Sequence, residues 1–213
     1  MYGDIMDNNR KILDALREVI PDLKCELEYK TIFQLLVAVV LSAQCTDKRV
    51  NMVTPILFLR YPDAKSMAQA DVKDVEEIIR PCGTYRVKAK NIISLSKSIV
   101  NNFGGDVPRT IEELTTLAGV GRKTASVVLA EGYKIPAFPV DTHVLRVSNR
   151  LGLVNSDDPV VVEQKMKEIF PKDTWIDLHY MLVLFGRYHC KAIGYRCVNC
   201  KLKHLCQYDS KKL

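Results

Sequence analysis

The segment Leu117–Ala125 reads Leu-Ala-Gly-Val-Gly-Arg-Lys-Thr-Ala and lies between two short stretches of helical character. Thr110 opens the first stretch and Glu113 follows three residues later, a spacing typical of a helix N-terminus. The second stretch, Lys123–Ala130, is rich in Ala, Val and Leu, and Gly132 ends it. Glycines in such a turn let the backbone approach a ligand closely, while the second helix exposes unpaired N–H groups. The segment therefore predicts a helical hairpin that can hold a phosphate group.

Two cations, Arg122 and Lys123, stand at the start of the second helix, where the helix macrodipole is positive. This position disfavours a protonated ammonium and so favours a free amine at Lys123, which can then act as a nucleophile. The same two cations would also suit simple contacts with DNA phosphates. These residues alone leave both interpretations open.

Composition and charge are those of a globular protein that can bind a polyanion. The 213 residues are 47% hydrophobic and 26% charged, enough for one large core or two small ones. A net charge of +6 permits nucleic acid as a partner. The acidic start of the chain lacks the apolar core of a signal peptide, and the most apolar run, Ile32–Leu41, is too short to span a membrane. We therefore expect a protein of the prokaryotic cytoplasm.

The hydrophobic periodicity predicts an all-α protein with about ten helices and no convincing strand. Long amphipathic helices are expected at Lys88–Phe103 and Trp175–Arg187. The expected helix N-caps are Asp47, Asp63, Asp71, Asp141 or Thr142, and Asp158 before Pro159.

Four of the seven cysteines follow the spacing C-x6-C-x2-C-x5-C, and they are Cys190, Cys197, Cys200 and Cys206. An odd number of cysteines without a secretion signal argues against a disulfide framework. Four thiolates this close together predict a structural metal centre with no open coordination position, for either zinc or an iron–sulfur cluster. The basic neighbours favour a four-iron cluster, whose charge of about −2 they would offset. Lys191 and Arg196, in the loop between the first two cysteines, are candidate phosphate contacts.

Three features together resemble the endonuclease III family of DNA repair enzymes: the segments Leu117–Ala125 and Val140–Arg150, and the cysteine spacing. The likeness covers nearly the whole chain, including Leu41–Asp47. This family belongs to the helix–hairpin–helix superfamily and contains bifunctional DNA glycosylases and abasic-site (AP) lyases. The resemblance implies a helical barrel-like domain at residues 24–135, with the helix–hairpin–helix motif at 110–131. Residues 1–23 and 136–213 would form a second domain that carries a 4Fe–4S cluster.

The resemblance also implies roles for individual residues. Lys123 is the expected nucleophile, which forms a Schiff base with the sugar, and Asp141 is its acidic partner. Gln44 is expected to fill the space left by a flipped-out base, and Gly119 and Gly121 to hold a backbone phosphate. The implied partner is damaged double-stranded DNA with oxidised pyrimidines such as thymine glycol. The protein would bind this DNA as a monomer, without another protein, and would cut the damaged strand by β-elimination.

Two positions depart from the family pattern. Ala118 stands where relatives often have proline, which slightly loosens the hairpin but leaves its glycines in place. Thr84 stands where relatives often place a bulky apolar wedge, so the lesion range and the opposite-base preference are left open. One alternative function is a monofunctional mismatch or adenine glycosylase, against which Lys123 argues. The other is a non-catalytic DNA-binding module, against which the Lys123–Asp141 pair argues. His143 is interpreted as a structural hydrogen-bonding residue outside the site.

Overall fold

The computed structural model describes residues 2–23, 25–195 and 197–208, with side chains from residue 7 onward. Within these ranges the chain forms eleven α-helices and four short helical turns and contains no strand, so the all-α prediction is confirmed. None of the helices in the described ranges has the length and apolar character needed to cross a membrane. The helices are α1 (Tyr2–Val19), α2 (Ile32–Ser42), α3 (Asp47–Arg60), α4 (Ala64–Ala68), α5 (Val72–Ile78), α6 (Tyr85–Asn102), α7 (Ile111–Thr115), α8 (Arg122–Val127), α9 (Thr142–Leu151), α10 (Pro159–Ile169) and α11 (Trp175–Tyr188). The short turns are the 3-10 turns Arg80–Cys82, Lys172–Thr174 and Cys197–Asn199 and the π-helical turn Val128–Gly132.

The chain divides into two compact units. The central unit is Cys25–Ile135, and the terminal unit combines Met1–Lys24 with Pro136–Leu213. The central unit therefore contains α2 to α8, and the terminal unit contains α1 and α9 to α11. Each unit has its own hydrophobic core.

Most helix starts follow from local side-chain chemistry. Asp63, Asp71 and Asp158 each accept hydrogen bonds from backbone N–H groups in the first turn of the following helix, as predicted. The prediction for α3 was wrong, because the N-cap is Thr46, whose hydroxyl accepts the N–H of Arg49. The backbone of Thr46 is extended, and Asp47 already lies inside the helix, where its charge suits the positive end of the macrodipole.

The core of the central unit is built on α2, which is buried on nearly all sides. Every residue from Phe33 to Leu41 is buried, which explains the long apolar run in the sequence. The apolar face of α6 adds Ile92, Leu95 and Ile99, each of them fully buried. This core supports the helices and loops that carry the hairpin.

The core of the terminal unit joins α1 to the helices of the C-terminal third. Ile12 and Leu16 of α1 pack in one cluster with Phe138, with residues of α9 to α11, and with Leu202. Leu202 lies between the third and fourth cysteines and is fully buried. The cysteine segment is therefore anchored to this core by at least one apolar side chain.

Candidate DNA-binding and catalytic site

The predicted hairpin is present between α7 and α8. The hydroxyl of Thr110 accepts the N–H of Glu113 at 3.2 Å, and it donates to the Glu113 carboxylate at 2.8 Å. Gly119 has φ +77°, and a Cβ there would lie 2.8 Å from Asn91 Nδ2, so glycine is required. Gly121 has an extended backbone, with φ −89°, and caps α8. No atom lies within 4 Å of a Cβ placed at Gly121, so the protein surface beside this residue is open.

Lys123 is the second residue of α8, and both it and Arg122 have exposed side chains. The same short helix buries Ala125 and Ser126, which fixes its orientation within the central unit. The helix does not end at Ala130, as the sequence predicted, but passes into the π-helical turn Val128–Gly132. Lys123 is therefore an exposed amine on a rigidly packed helix start.

Asp141 is the N-cap of α9 in the terminal unit. Its Oδ1 accepts the N–H groups of both His143 and Val144 at 2.8 Å, so the carboxylate has a fixed orientation and is partly buried. His143 Nδ1 lies 3.2 Å from Nη2 of Arg146, which matches the structural hydrogen-bonding role predicted for this histidine. Burial and the nearby Arg146 and Arg187 lower the pKa of His143, although Asp141 acts in the opposite direction.

Two further loops of the central unit carry exposed residues in strained conformations. Gln44 follows α2 with φ +53°, and Thr84 precedes α6 with φ +43°. Non-glycine residues in this left-handed region are uncommon and often mark functional loops. Gln44 was predicted to contact DNA, and Thr84 occupies the position where a bulky wedge was expected.

The four cysteines of the predicted metal centre are unpaired and line one cavity of about 110 Å³, and they are Cys190, Cys197, Cys200 and Cys206. In the described part of the chain, no three His, Cys, Asp or Glu side chains are close enough to hold a single metal ion. The structure gathers the four thiols around one cavity. Four thiolates are a usual ligand set of an iron–sulfur cluster.

A guanidinium and two tyrosine rings support this cysteine segment, and none of them was singled out from the sequence. Arg150 Nη1 lies 3.4 Å from Cys190 Sγ and donates to the carbonyl of Lys191 at 2.8 Å. The rings of Tyr195 and Tyr208 lie 4.4 and 4.7 Å from its Cζ. The only available signal was that Arg150 ends the segment used for the family resemblance. Its partners are 40 to 58 residues away, which no local pattern reveals.

The remaining predicted DNA contacts are in this cysteine segment. Lys191 has an exposed side chain, and its backbone is held by Arg150. Arg196 lies outside the described residues. The structure thus brings Gly119, Gly121, Arg122 and Lys123 together in the hairpin, and it brings the four cysteines together around one cavity.

Comparison with known proteins defines the class of this fold and site. The family model for HhH-GPD superfamily base excision DNA repair proteins matches residues 37–172. Endonuclease III of Synechocystis sp. is 48% identical over 197 residues, which is 92% of this chain and 90% of the relative. Endonuclease III of Bacillus subtilis is 46% identical over 201 residues, covering 94% and 92% of the two chains.

A solved structure gives the same result. A trapped endonuclease III–DNA covalent intermediate, described as an estranged-adenine complex, aligns with a TM-score of 0.92 at 45% identity. The alignment covers 97% of this chain and 98% of that chain. The chain therefore belongs to the HhH-GPD superfamily of base excision DNA repair proteins and, within it, to the endonuclease III family. It is a base excision repair enzyme with DNA glycosylase and AP lyase activity, and its family carries a 4Fe–4S cluster.

Proposed function

We propose that this protein removes oxidised pyrimidines, such as thymine glycol, from double-stranded DNA and then cuts the strand by β-elimination. The observation that carries the proposal is the position of Lys123, an exposed amine directly after the Gly-x-Gly turn. A similar protein has been captured in covalent linkage with DNA, and a lysine amine is a group that can form such a linkage.

The reaction begins when the neutral amine of Lys123 attacks C1′ of the damaged nucleotide. The base leaves with the electron pair of the glycosidic bond and takes up a proton, and the sugar ring opens to give a protonated Schiff base. The iminium acidifies the C2′ proton. Loss of that proton forms a C1′-conjugated double bond and expels the 3′ phosphate, which cuts the strand. Hydrolysis of the Schiff base then restores the amine.

Lys123 is the second residue of α8 and follows a second cation, Arg122. The proposed reaction uses the amine as a nucleophile, because its free electron pair attacks C1′. Arg122 also provides a charge for a DNA phosphate, next to the backbone N–H groups of the turn.

Asp141 supplies the carboxylate of the proposed reaction. The negative charge stabilises the positive charge that develops on the sugar as the base leaves, and the same group can assist the proton transfers. Only Oδ1 takes part in the helix cap. The cap therefore fixes the carboxylate while the second oxygen retains its capacity to interact with the substrate.

The proposed DNA contacts use backbone and side-chain groups of both units. The turn at Gly119 and Gly121 binds a phosphate through N–H groups, and Gln44 fills the space of the extruded base. Lys191 and Arg196 add phosphate contacts in the cysteine segment. Residues 24–135 would form the barrel-like domain, and residues 1–23 with 136–213 the cluster domain.

We further propose that the four cysteines bind a 4Fe–4S cluster with a structural role. The donor set fits, because four unpaired thiols line one cavity and a cation, Arg150, lies against Cys190 to offset the negative charge. When bound, the cluster crosslinks a segment with little apolar core of its own. Arg150 and Arg146 meanwhile hold the backbone carbonyls of this segment. The protein is proposed to act as a monomer in the bacterial cytoplasm.

The decisive experiment is borohydride trapping on a duplex that contains thymine glycol, with wild type, Lys123→Gln and Arg122→Gln compared in one gel. We expect a covalent protein–DNA band for wild type and for Arg122→Gln, which keeps the amine but binds DNA more weakly. Lys123→Gln is expected to bind the damaged duplex and to form no band. A trapped band from Lys123→Gln would refute the assignment of the nucleophile.

Release of the damaged base by wild type without any trapped band would instead show a monofunctional glycosylase. Absence of both base release and strand cleavage on thymine glycol would refute the proposed substrate class.

A further inference from the structure

Lys88 is a buried cation in the central unit that the proposed chemistry does not use. Its side chain is only 5% exposed, which no other lysine or arginine in the described ranges matches. Its Nζ donates to the carbonyl of Leu41 at 2.8 Å and to the carbonyl of Cys82 at 2.7 Å. Both bonds go to backbone carbonyls and neither to a carboxylate. A buried ammonium is unfavourable, so its position is set by these two acceptors.

The two carbonyls belong to the ends of two different elements. Leu41 is the penultimate residue of α2, where carbonyls lack helical partners, and Cys82 ends the 3-10 turn Arg80–Cys82. They are 41 residues apart in the chain, and Lys88 therefore connects segments that are otherwise distant in sequence. Burial and the neighbouring thiol of Cys45 raise the pKa of Cys82 to about 11, so the two segments lie close together.

Each anchored carbonyl lies next to a strained, exposed residue. Gln44 is three residues after Leu41 and has φ +53°, and Thr84 is two residues after Cys82 and has φ +43°. Strained backbone persists only where the surrounding structure determines it. Lys88 is bonded to both of the segments that lead into these loops.

We propose that Lys88 is a positioning residue for base extrusion, whose ammonium anchors the loops of Gln44 and Thr84 in a fixed relative position so that both can occupy the opened duplex. The inference rests on the proposed function, in which Gln44 fills the space of the extruded base. A pre-ordered pair of loops lowers the entropy that must be lost when DNA binds.

A lysine suits this position better than other polar residues. Its apolar stem lies on the same face of α6 as Ile92, Leu95 and Ile99, and its head carries three donors. Burial lowers the pKa of Lys88, while the nearby thiols of Cys45 and Cys82 act in the opposite direction. The two carbonyl acceptors favour the protonated head, which has donors for both of them.

The test compares Lys88→Met, which keeps the stem and removes the donors, with Lys97→Met, an exposed position on the same helix. Two duplexes are used, one with thymine glycol and one with a preformed abasic site. We expect Lys88→Met to reduce kcat/KM about tenfold on thymine glycol, mainly through KM, and about threefold or less on the abasic duplex. Extrusion of a stacked base depends on both loops, whereas an abasic sugar has no base to unstack. Lys97→Met should match wild type.

A double-mutant cycle separates positioning from general stability. If Lys88 acts through the loop of Gln44, adding Lys88→Met to Gln44→Ala should cost less than twofold on thymine glycol. Equal losses on the two duplexes, or fully multiplicative effects in the cycle, would overturn the inference. So would a Lys88→Met variant that behaves as Lys97→Met. Failure of wild type to process thymine glycol would instead refute the proposed function.

If Lys88→Met does not fold, the shared anchor is tested with Gln44→Ala and Thr84→Ala, two exposed changes that leave the core intact. Each change should reduce kcat/KM more on thymine glycol than on the abasic duplex, because both loops are expected to act on the stacked base. Equal losses on the two duplexes would contradict the inference.

Discussion

In the central unit one buried ammonium, that of Lys88, holds the carbonyls of two buried residues, Leu41 at the end of α2 and Cys82 at the end of a 3-10 turn. In the terminal unit two partly buried guanidiniums, those of Arg146 and Arg150, hold the consecutive carbonyls of Cys190, Lys191 and Ala192 in the cysteine segment. A lysine head is a compact charge that suits two converging acceptors. A planar guanidinium suits a row of acceptors and can stack on aromatic rings, as Arg150 does.

The two loop systems differ in what else supports them. Behind the loops of Gln44 and Thr84 lies the buried face of α2 and α6. The cysteine segment has less such support, since Ile193 and Val198 are 90% and 79% exposed and, among its described residues, only Leu202 is fully buried. The central loops thus have both a packed core and one buried cation behind them, whereas the cysteine segment depends mainly on cations and on the proposed cluster. Four changes, in order of decreasing expected effect, test this contrast.

The largest effect is expected from Cys200→Ala, which removes one ligand of the proposed cluster. We expect loss of the brown colour and of about four irons per chain, and destabilisation of the terminal unit by several kcal/mol. Iron analysis and proteolysis with peptide mapping measure both effects. Cys25→Ala is the matched control, and retention of full iron by Cys200→Ala would contradict the ligand assignment.

Arg150→Met is expected to have the next largest effect, about 1–2 kcal/mol, because it removes the hydrogen bonds to two carbonyls and the stacking on Tyr195 and Tyr208. The cut sites should appear between residues 190 and 206, while central-unit peptides stay protected. Arg150→Lys should restore little of the lost stability. An ammonium lacks the planar, forked donor arrangement of the guanidinium and cannot stack in the same way on Tyr195 and Tyr208. Full rescue by lysine would show that charge alone matters. Chemical denaturation and limited proteolysis measure these effects.

The hairpin offers a change that affects only the central unit. Gly119→Ala should cost about 1–2 kcal/mol, because φ is +77° and the new Cβ would meet Asn91 at 2.8 Å. Gly121→Ala should be nearly neutral for stability, since its backbone is extended and the space is open. Urea denaturation of both variants measures the difference. Equal losses would mean that the turn is adjusted more easily than its geometry indicates.

The smallest effect is a pH dependence in the terminal unit. Burial, with Arg146 and Arg187, lowers the folded-state pKa of His143 below its ordinary value of 6.5. Below pH 6.5 the unfolded chain therefore binds more protons at this site than the folded protein, so stability falls as the pH drops toward the folded-state pKa. Denaturation curves between pH 7.5 and pH 5 should show a shallower fall for His143→Asn than for wild type. An unchanged slope would exclude His143 as the source.

Much of the site could be predicted from the sequence, because its signals are local. Asp141 caps the helix that it precedes, and Gly119 has the left-handed backbone of the predicted Gly-x-Gly turn. Side chains three residues apart meet at a helix start whatever the rest of the chain does. The cysteine spacing likewise places four thiols within one short segment. The all-α class followed from hydrophobic periodicity for the same reason.

Only the tertiary structure showed which cations are structural. Nothing in the local sequence distinguishes Lys88 from the other lysines. Its buried ammonium bonds to the carbonyl of Leu41, which lies 47 residues away in the chain. Arg150 gains its role from Tyr195 and Tyr208, which no local pattern connects to it. The sequence by itself determined the local geometry of caps, turn and cysteine spacing, because those contacts span a few residues. Whether a charged side chain is removed from water depends on every segment that packs around it. The burial of Lys88 was therefore decided by the tertiary structure alone.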